Sequence, residues 1–203
     1  MKWSRAVHHL DALVRQCAEL AELSGSFYAF RVVQVYAVGD VLGAESELEW
    51  VTAALAVDLP PDDVPWLCEP HGARHWADAT RLSKNPIVPL WRSAQAPVWN
   101  HDIDRPVLLW DVETGVAEQA MAALREGRGE EIRPPAPTPE ELRVRLQDEL
   151  AISLKVLKDR TASYDDQRWR PGKITPAADA LWQSSHGYLD VLDALNQTTQ
   201  NPT

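Results

Sequence analysis

The chain is poor in sulfur: its 203 residues include two cysteines, Cys17 and Cys68, and two methionines. Two thiols cannot build the disulfide framework of a small secreted domain, and they fit a reducing compartment in which both stay free. No apolar run approaches the roughly 18 residues that span a bilayer, and the opening MKWSRAVHHLDALVRQ has the spacing of an amphipathic helix rather than a signal peptide. A cytoplasmic protein with no membrane association is expected. Positive charge is scarce too, with 20 Lys and Arg against 30 Asp and Glu and a net charge of −10. Non-specific nucleic-acid binding comes largely from neutralising phosphates, so this balance disfavours it. A G-x-S-x-G elbow, a Walker A loop, a dinucleotide G-x-G-x-x-G and an H-E-x-x-H are all missing, which removes the common forms of those enzymes. There is no internal repeat.

What remains is an ordinary globular composition, 45% hydrophobic and 25% charged, with nine tryptophans that must be packed or must line a surface. Val7, Leu10, Leu13, Val14, Cys17 and Leu20 recur at helical spacing over 4–23, with Ser4 as N-cap and Gly25 beyond the end. FYAFRVVQVYAV (27–38) and ELEWVTAALAVDL (47–59) read as strands joined by a loop over 39–46 and stopped by Pro60 and Pro61. Prolines cut 62–105 into short pieces, with a helix over GARHWADATRL and a strand near IVPLWRS. PVLLWD (106–111) is a short strand, and VAEQAMAALREG is a helix ended by Gly127.

RPPAPTP (133–139) is a stiff linker, after which Thr138 and Glu141 form a capping box with Pro139 at the first helical position. Leu142, Leu146, Leu150, Leu154 and Leu157 give that helix one apolar stripe. A last helix from Thr175 and Pro176 carries Leu181, Tyr188, Val191, Leu192 and Leu195. Two such helices cannot bury their stripes alone and are expected to dock as an antiparallel pair. The reading is an α+β protein: a small mixed-sheet domain over 1–132, a Pro-rich linker over 133–137, a bundle-like helical domain over 138–196, and a disordered tail over 197–203.

The chemistry-bearing pattern is GDVLGAESELEW. Strand alternation points Glu47 and Glu49 the same way, about 7 Å apart, where two carboxylates can share a divalent cation. A polyphosphate on that cation would lie against the turn at Gly39 and Gly43. The same two glutamates also suit a plainer role, as charges flanking a sticky strand and discouraging aggregation.

Val38, Gly39 and the Glu47–Leu48–Glu49 run after a glycine turn resemble the nucleotidyltransferase superfamily, in particular its minimal and aminoglycoside members. That resemblance implies a nucleotidyltransferase-like sheet domain with a helical domain behind it. It also implies a third carboxylate from a later strand, for which Asp111 is the candidate and Asp104 the reserve. If active, Glu47, Glu49 and Asp111 would hold Mg²⁺ and catalyse nucleotidyl transfer. Asp40 stands where that family has a phosphate-binding Gly or Ser, and Glu47 where it has Asp, so a degenerate, inactive form that binds a ligand or a partner is the reading adopted. The whole chain also resembles small uncharacterised actinobacterial proteins that begin with a similar MKWSRAVHHL and contain similar RLSKNP and PVWNH stretches.

Lys84 and Arg92 stand among Trp76, Trp91 and Trp99 in a locally positive region, a pattern suited to a nucleotide or other flat anion through charge and stacking. Lys84, Arg92, Trp91, Trp99 and Gly39 are the expected ligand-binding set, against the alternative that the tryptophans are core and the cations pair with acids. Cys68, His71 and His75 have metal-like spacing but no identifiable fourth ligand. A third class of function is a protein–protein adaptor that anchors partners on exposed tryptophans.

Overall fold

The structure, a computed structural model, describes residues 1–22, 28–43 and 47–200. Parts of three expectations lie outside those residues: Gly25 as helix terminator, the far end of the 39–46 loop, and tail residues 201–203. The opening helix, α1 (Trp3–Glu22), buries Ala6, Val7, Leu10, Leu13, Val14 and Cys17 at three-and-four spacing. β1 (Val32–Val38), β2 (Val51–Val57), α2 (Ala73–Ala79) and β3 (Ile87–Ser93) follow. Next come β4 (Val107–Asp111), the two-residue β5 (Gly115–Val116) and α3 (Glu118–Arg125). The long helices α4 (Pro139–Arg168) and α5 (Thr175–Gln200) close the chain, and four short 3-10 turns link elements before them. The tail expectation is corrected in part, since α5 runs on through Gln200.

The five strands form one mixed sheet in the order β3-β2-β1-β4-β5. β2 and β3 are parallel, joined by a crossover through α2, and the other neighbours are antiparallel. Gly39 makes the turn after β1 with φ +72, a backbone that glycine adopts without a Cβ penalty. The edge strand β3 contains Pro89. Bonds from Val51 N–H to the Pro86 carbonyl and from Ala94 N–H to the Val57 carbonyl turn the even-numbered amides of β3 toward β2. Residue 89 therefore faces the open edge, where proline offers no N–H to a foreign strand.

Both faces of the sheet are covered, which is why β2 reads as a nearly unbroken apolar run. Val51, Ala53, Leu55 and Val57 join α1 and α3 in one core with Val35, Leu109, Trp76 and Trp91. Ala54 and Ala56, with Val38, point the other way and pack with Trp66, Leu146, Val191 and Ala194. The C-terminal helices thus sit on the sheet face opposite α1. The proline-rich stretch carries the chain from one face to the other, and the expected capping box forms at its end: Thr138 Oγ1 accepts from the Glu141 N–H, and the Glu141 carboxylate accepts from the Thr138 N–H. A close approach fixes α5. A Cβ on Gly187 would lie 2.0 Å from the Trp66 carbonyl oxygen, so only glycine lets the helix reach that loop.

Candidate functional site

The carboxylates singled out by the sequence do not come together. The strand expected over 47–59 begins at Val51. Glu47 instead bridges to Lys2, and the Leu48 N–H donates to the Met1 carbonyl at 2.9 Å, so 47–48 lies against the N-terminus. Leu48 is buried and both glutamates are exposed on either side of it.

Asp111 must be corrected as a third ligand. β1 runs antiparallel to both of its neighbours, with Val38 opposite Thr52 at one end and Gln34 opposite Asp111 at the other. Along the strands this separates Asp111 from Glu49 by roughly 20 Å. Asp111 instead closes the β4–β5 turn. Its carboxylate accepts from Gln34 Nε2 at 2.8 Å, from the Glu113 N–H at 2.8 Å and from the Thr114 N–H at 3.3 Å. Partial burial pushes its pKa up, but these hydrogen bonds outweigh it and hold the carboxyl below its usual range. Asp104, the reserve, is exposed and pairs with Arg105 and Arg133. Among the described residues no three His, Cys, Asp or Glu side chains are grouped to hold a metal ion. The residues present do not fit the Mg²⁺ that the resemblance implies. The same holds for Cys68, which is buried with its Sγ 3.8 Å from Ser184 Oγ, and for His75, which lies against Tyr28.

The expected ligand-binding set is dispersed as well. Lys84 is exposed in the turn before β3, and Arg92 is buried near the other end of that strand. Trp91 points to the opposite face from Arg92, its ring edge-on to Phe30 and Trp76 at 5.3 and 5.5 Å. Trp99 is half-buried, and its carbonyl accepts from Arg145. The Gly39 carbonyl accepts from Arg133 at 3.1 Å.

Arg92 belongs to a buried network that sequence reasoning missed. Arg92 and Arg145 both donate to Oε1 of Glu149, the latter at 2.7 Å, and Asn100 Nδ2 donates to Oε2 at 3.1 Å. Arg92 also lies 5.3 Å from the Trp66 ring centroid. The cavity beside this network is about 20 Å³, room for one water and not for a nucleotide. Two cations on one carboxylate, tied to the 97–100 backbone, clamp α4 to the end of β3. Burial lowers the Arg145 pKa, and Glu149 opposes that shift.

α5 is held next to this clamp. Oδ2 of Asp190 accepts from Trp66 Nε1 at 2.6 Å and lies 2.8 Å from His101 Nε2. With its inner side fixed by Gly187 and Asp190, the helix turns Trp182 and Leu189 outward, 66% and 54% exposed. Trp169, in the connection from α4, is 75% exposed with Arg168 over its ring at 4.4 Å. Val144 and Leu154 are the exposed large apolar residues of α4. A shallow hollow of about 590 Å³ runs along α4 past Leu154, Leu157, Thr161 and Ala162. Trp182 and Leu189 stand seven residues apart, two turns on one helix face, and that spacing is the signal in the sequence that could have found them.

No described helix is long and apolar enough to cross a membrane. No curated protein and no solved structure matches the chain. A family model described as a domain of unknown function, DUF7711, matches residues 1–197, and the chain belongs to that family.

Proposed function

We propose that the protein is a non-catalytic protein-binding module, an adaptor whose working surface is the outer face of the α4–α5 pair. One observation carries this reading. Of the seven large apolar side chains exposed among the described residues, five (Val144, Leu154, Trp169, Trp182 and Leu189) lie on these helices and their connection. Large apolar side chains exposed on one pair of elements point to an interaction surface, and tryptophan is a favoured anchor in such surfaces. We also propose that the sheet domain is nucleotidyltransferase-like in fold. The left-handed Gly39 turn between two adjacent antiparallel strands supports it, and the scattered acids favour the degenerate, inactive form; a cytoplasmic location is part of the same proposal.

The test is site-specific photo-crosslinking in the native cell, with a benzophenone amino acid at position 189 and, as control, at exposed position 88. A discrete protein adduct at 189 that disappears with Trp182→Ser is the expected result. A Mg²⁺-dependent thermal shift with a nucleoside triphosphate, lost in both Glu47→Ala and Glu49→Ala, would restore the transferase and set the adaptor aside.

A further inference from the structure

Over residues 175–198 of α5 the exposed residues are Thr175, Asp179, Trp182, His186, Leu189, Asp193 and Asn196, with Pro176 and Gln197 beside the outermost two. Their spacing alternates four and three, a continuous seam of the kind that packs against another helix. At its centre Trp182 stacks on His186, with ring centroids 5.3 Å apart and planes at 29°, and Leu189 follows one turn on. Asp179 and Asp193 bracket that apolar centre, and neither has an ion-pair partner among the described residues. The two acids are separated by about 21 Å of helix.

We propose that this seam docks a cationic amphipathic helix of a partner protein, apolar in its middle two turns and carrying Lys or Arg about four turns apart at either end. The inference rests on the adaptor reading and names the partner's chemistry. Charge decides against a second copy on the same seam. An antiparallel pair centred on His186 would set Asp179 against Asp193 of the other chain, and a parallel pair would set each acid against itself. Like charges facing each other across an interface destabilise it, whereas a basic helix neutralises both ends at once. Because an acid stands seven residues to either side of His186, charge alone admits the partner helix in both directions.

The experiment uses the full chain and a fluorescent model helix of about 20 residues, with leucines at four-and-three spacing in the centre and lysines at both ends. A twin peptide has the lysines replaced by glutamates. Fluorescence anisotropy is read at about 50 mM and about 1 M salt, where screening lengths differ severalfold. The lysine peptide is expected to bind at least about tenfold tighter than its twin at low salt and to lose that advantage at high salt. Trp182→Ala should weaken it about thirtyfold, as loss of an interface anchor does, and Asp179→Asn with Asp193→Asn should erase the preference over the twin. Far-UV circular dichroism of each variant checks that the fold is kept.

Equal binding of both peptides, or of neither, overturns the proposal. So does sedimentation showing concentration-dependent dimers of the parent that Trp182→Ala abolishes, since the occupant would then be a second copy. If the peptides fail while the crosslink at 189 still captures a protein, the adaptor reading stands and only the partner chemistry falls. If that crosslink also captures nothing, both fall.

Discussion

Removing Glu149 should be far more damaging than removing any surface acid. Its carboxylate is the common acceptor for Arg92, Arg145 and Asn100, and the side chains of Arg92, Arg145 and Glu149 are 4%, 8% and 5% exposed. Glu149→Ala leaves two buried guanidinium groups facing each other without their shared counter-charge. Breaking a buried ion pair from one side costs about 3–5 kcal/mol, and the two cations place the loss in the upper half of that range. For a chain of this length, with an unfolding entropy of about 0.4 kcal/mol per kelvin, that is a fall of about 9–12 °C in Tm. Glu149→Gln keeps hydrogen-bonding capacity without charge and should fall between. The reference is Asp62→Ala, which removes the exposed, solvent-screened Lys155–Asp62 pair and should cost far less. Urea unfolding followed by tryptophan fluorescence and by circular dichroism gives the comparison. A Glu149→Ala protein no less stable than Asp62→Ala would refute the clamp as the attachment of α4.

Asp111 gives a pH signature. Its folded pKa is depressed, so its contribution to stability is present above the unfolded value of about 4 and is lost as pH falls through the folded value. Asp111→Asn should therefore flatten the parent's loss of stability below about pH 4 in an acid titration at fixed urea. Gly187→Ala puts a Cβ 2.0 Å from the Trp66 carbonyl oxygen and should destabilise by about 2 kcal/mol or more, with a blue-to-red shift in Trp66 emission as its bond to Asp190 loosens. Burial pushes the Cys17 thiol up to about 12, and Cys68 is shifted up as well, so Ellman's reagent at about pH 8 should label neither in the native protein and both in guanidinium. Glu47→Ala and Glu49→Ala should each change stability by less than about 0.5 kcal/mol, as exposed positions do.

Local chemistry was legible wherever it was self-sufficient. The capping box at Thr138, the amphipathic period of α1, the β-branched run of β1 and the apolar run of β4 each need only neighbours within a few residues. β2 was placed four residues too early because ELEW alternates like a strand, whereas Leu48 is drawn into the core by pairing with Met1, 47 positions away. α4 continues beyond the Leu142–Leu157 stripe through YDDQR, a stretch with no breaker until Pro171. β5 went unseen because two residues carry no period. The site failed for a topological reason. Placing Asp111 beside Glu49 requires knowing which way β4 runs against β1, and pairing Arg92 with Glu149 requires knowing that α4 crosses the second face. Neither is encoded in a local window. The seam on α5 is readable as a second four-and-three stripe, one residue round the helix from the half-buried Leu181, Tyr188 and Leu195.

The crossing of the chain from one sheet face to the other also has a temporal meaning. A nascent chain that has emerged only through residue 132 already holds all five strands, yet Val38, Ala54, Ala56 and Trp66 still await the helices that cover them. At about 5–20 residues per second, the roughly 60 residues that supply Leu146, Val191 and Ala194 take several seconds more to arrive. Through that interval the sheet is a sticky platform on the ribosome, and any message truncated after the proline-rich stretch yields a product fit for chaperones rather than for work.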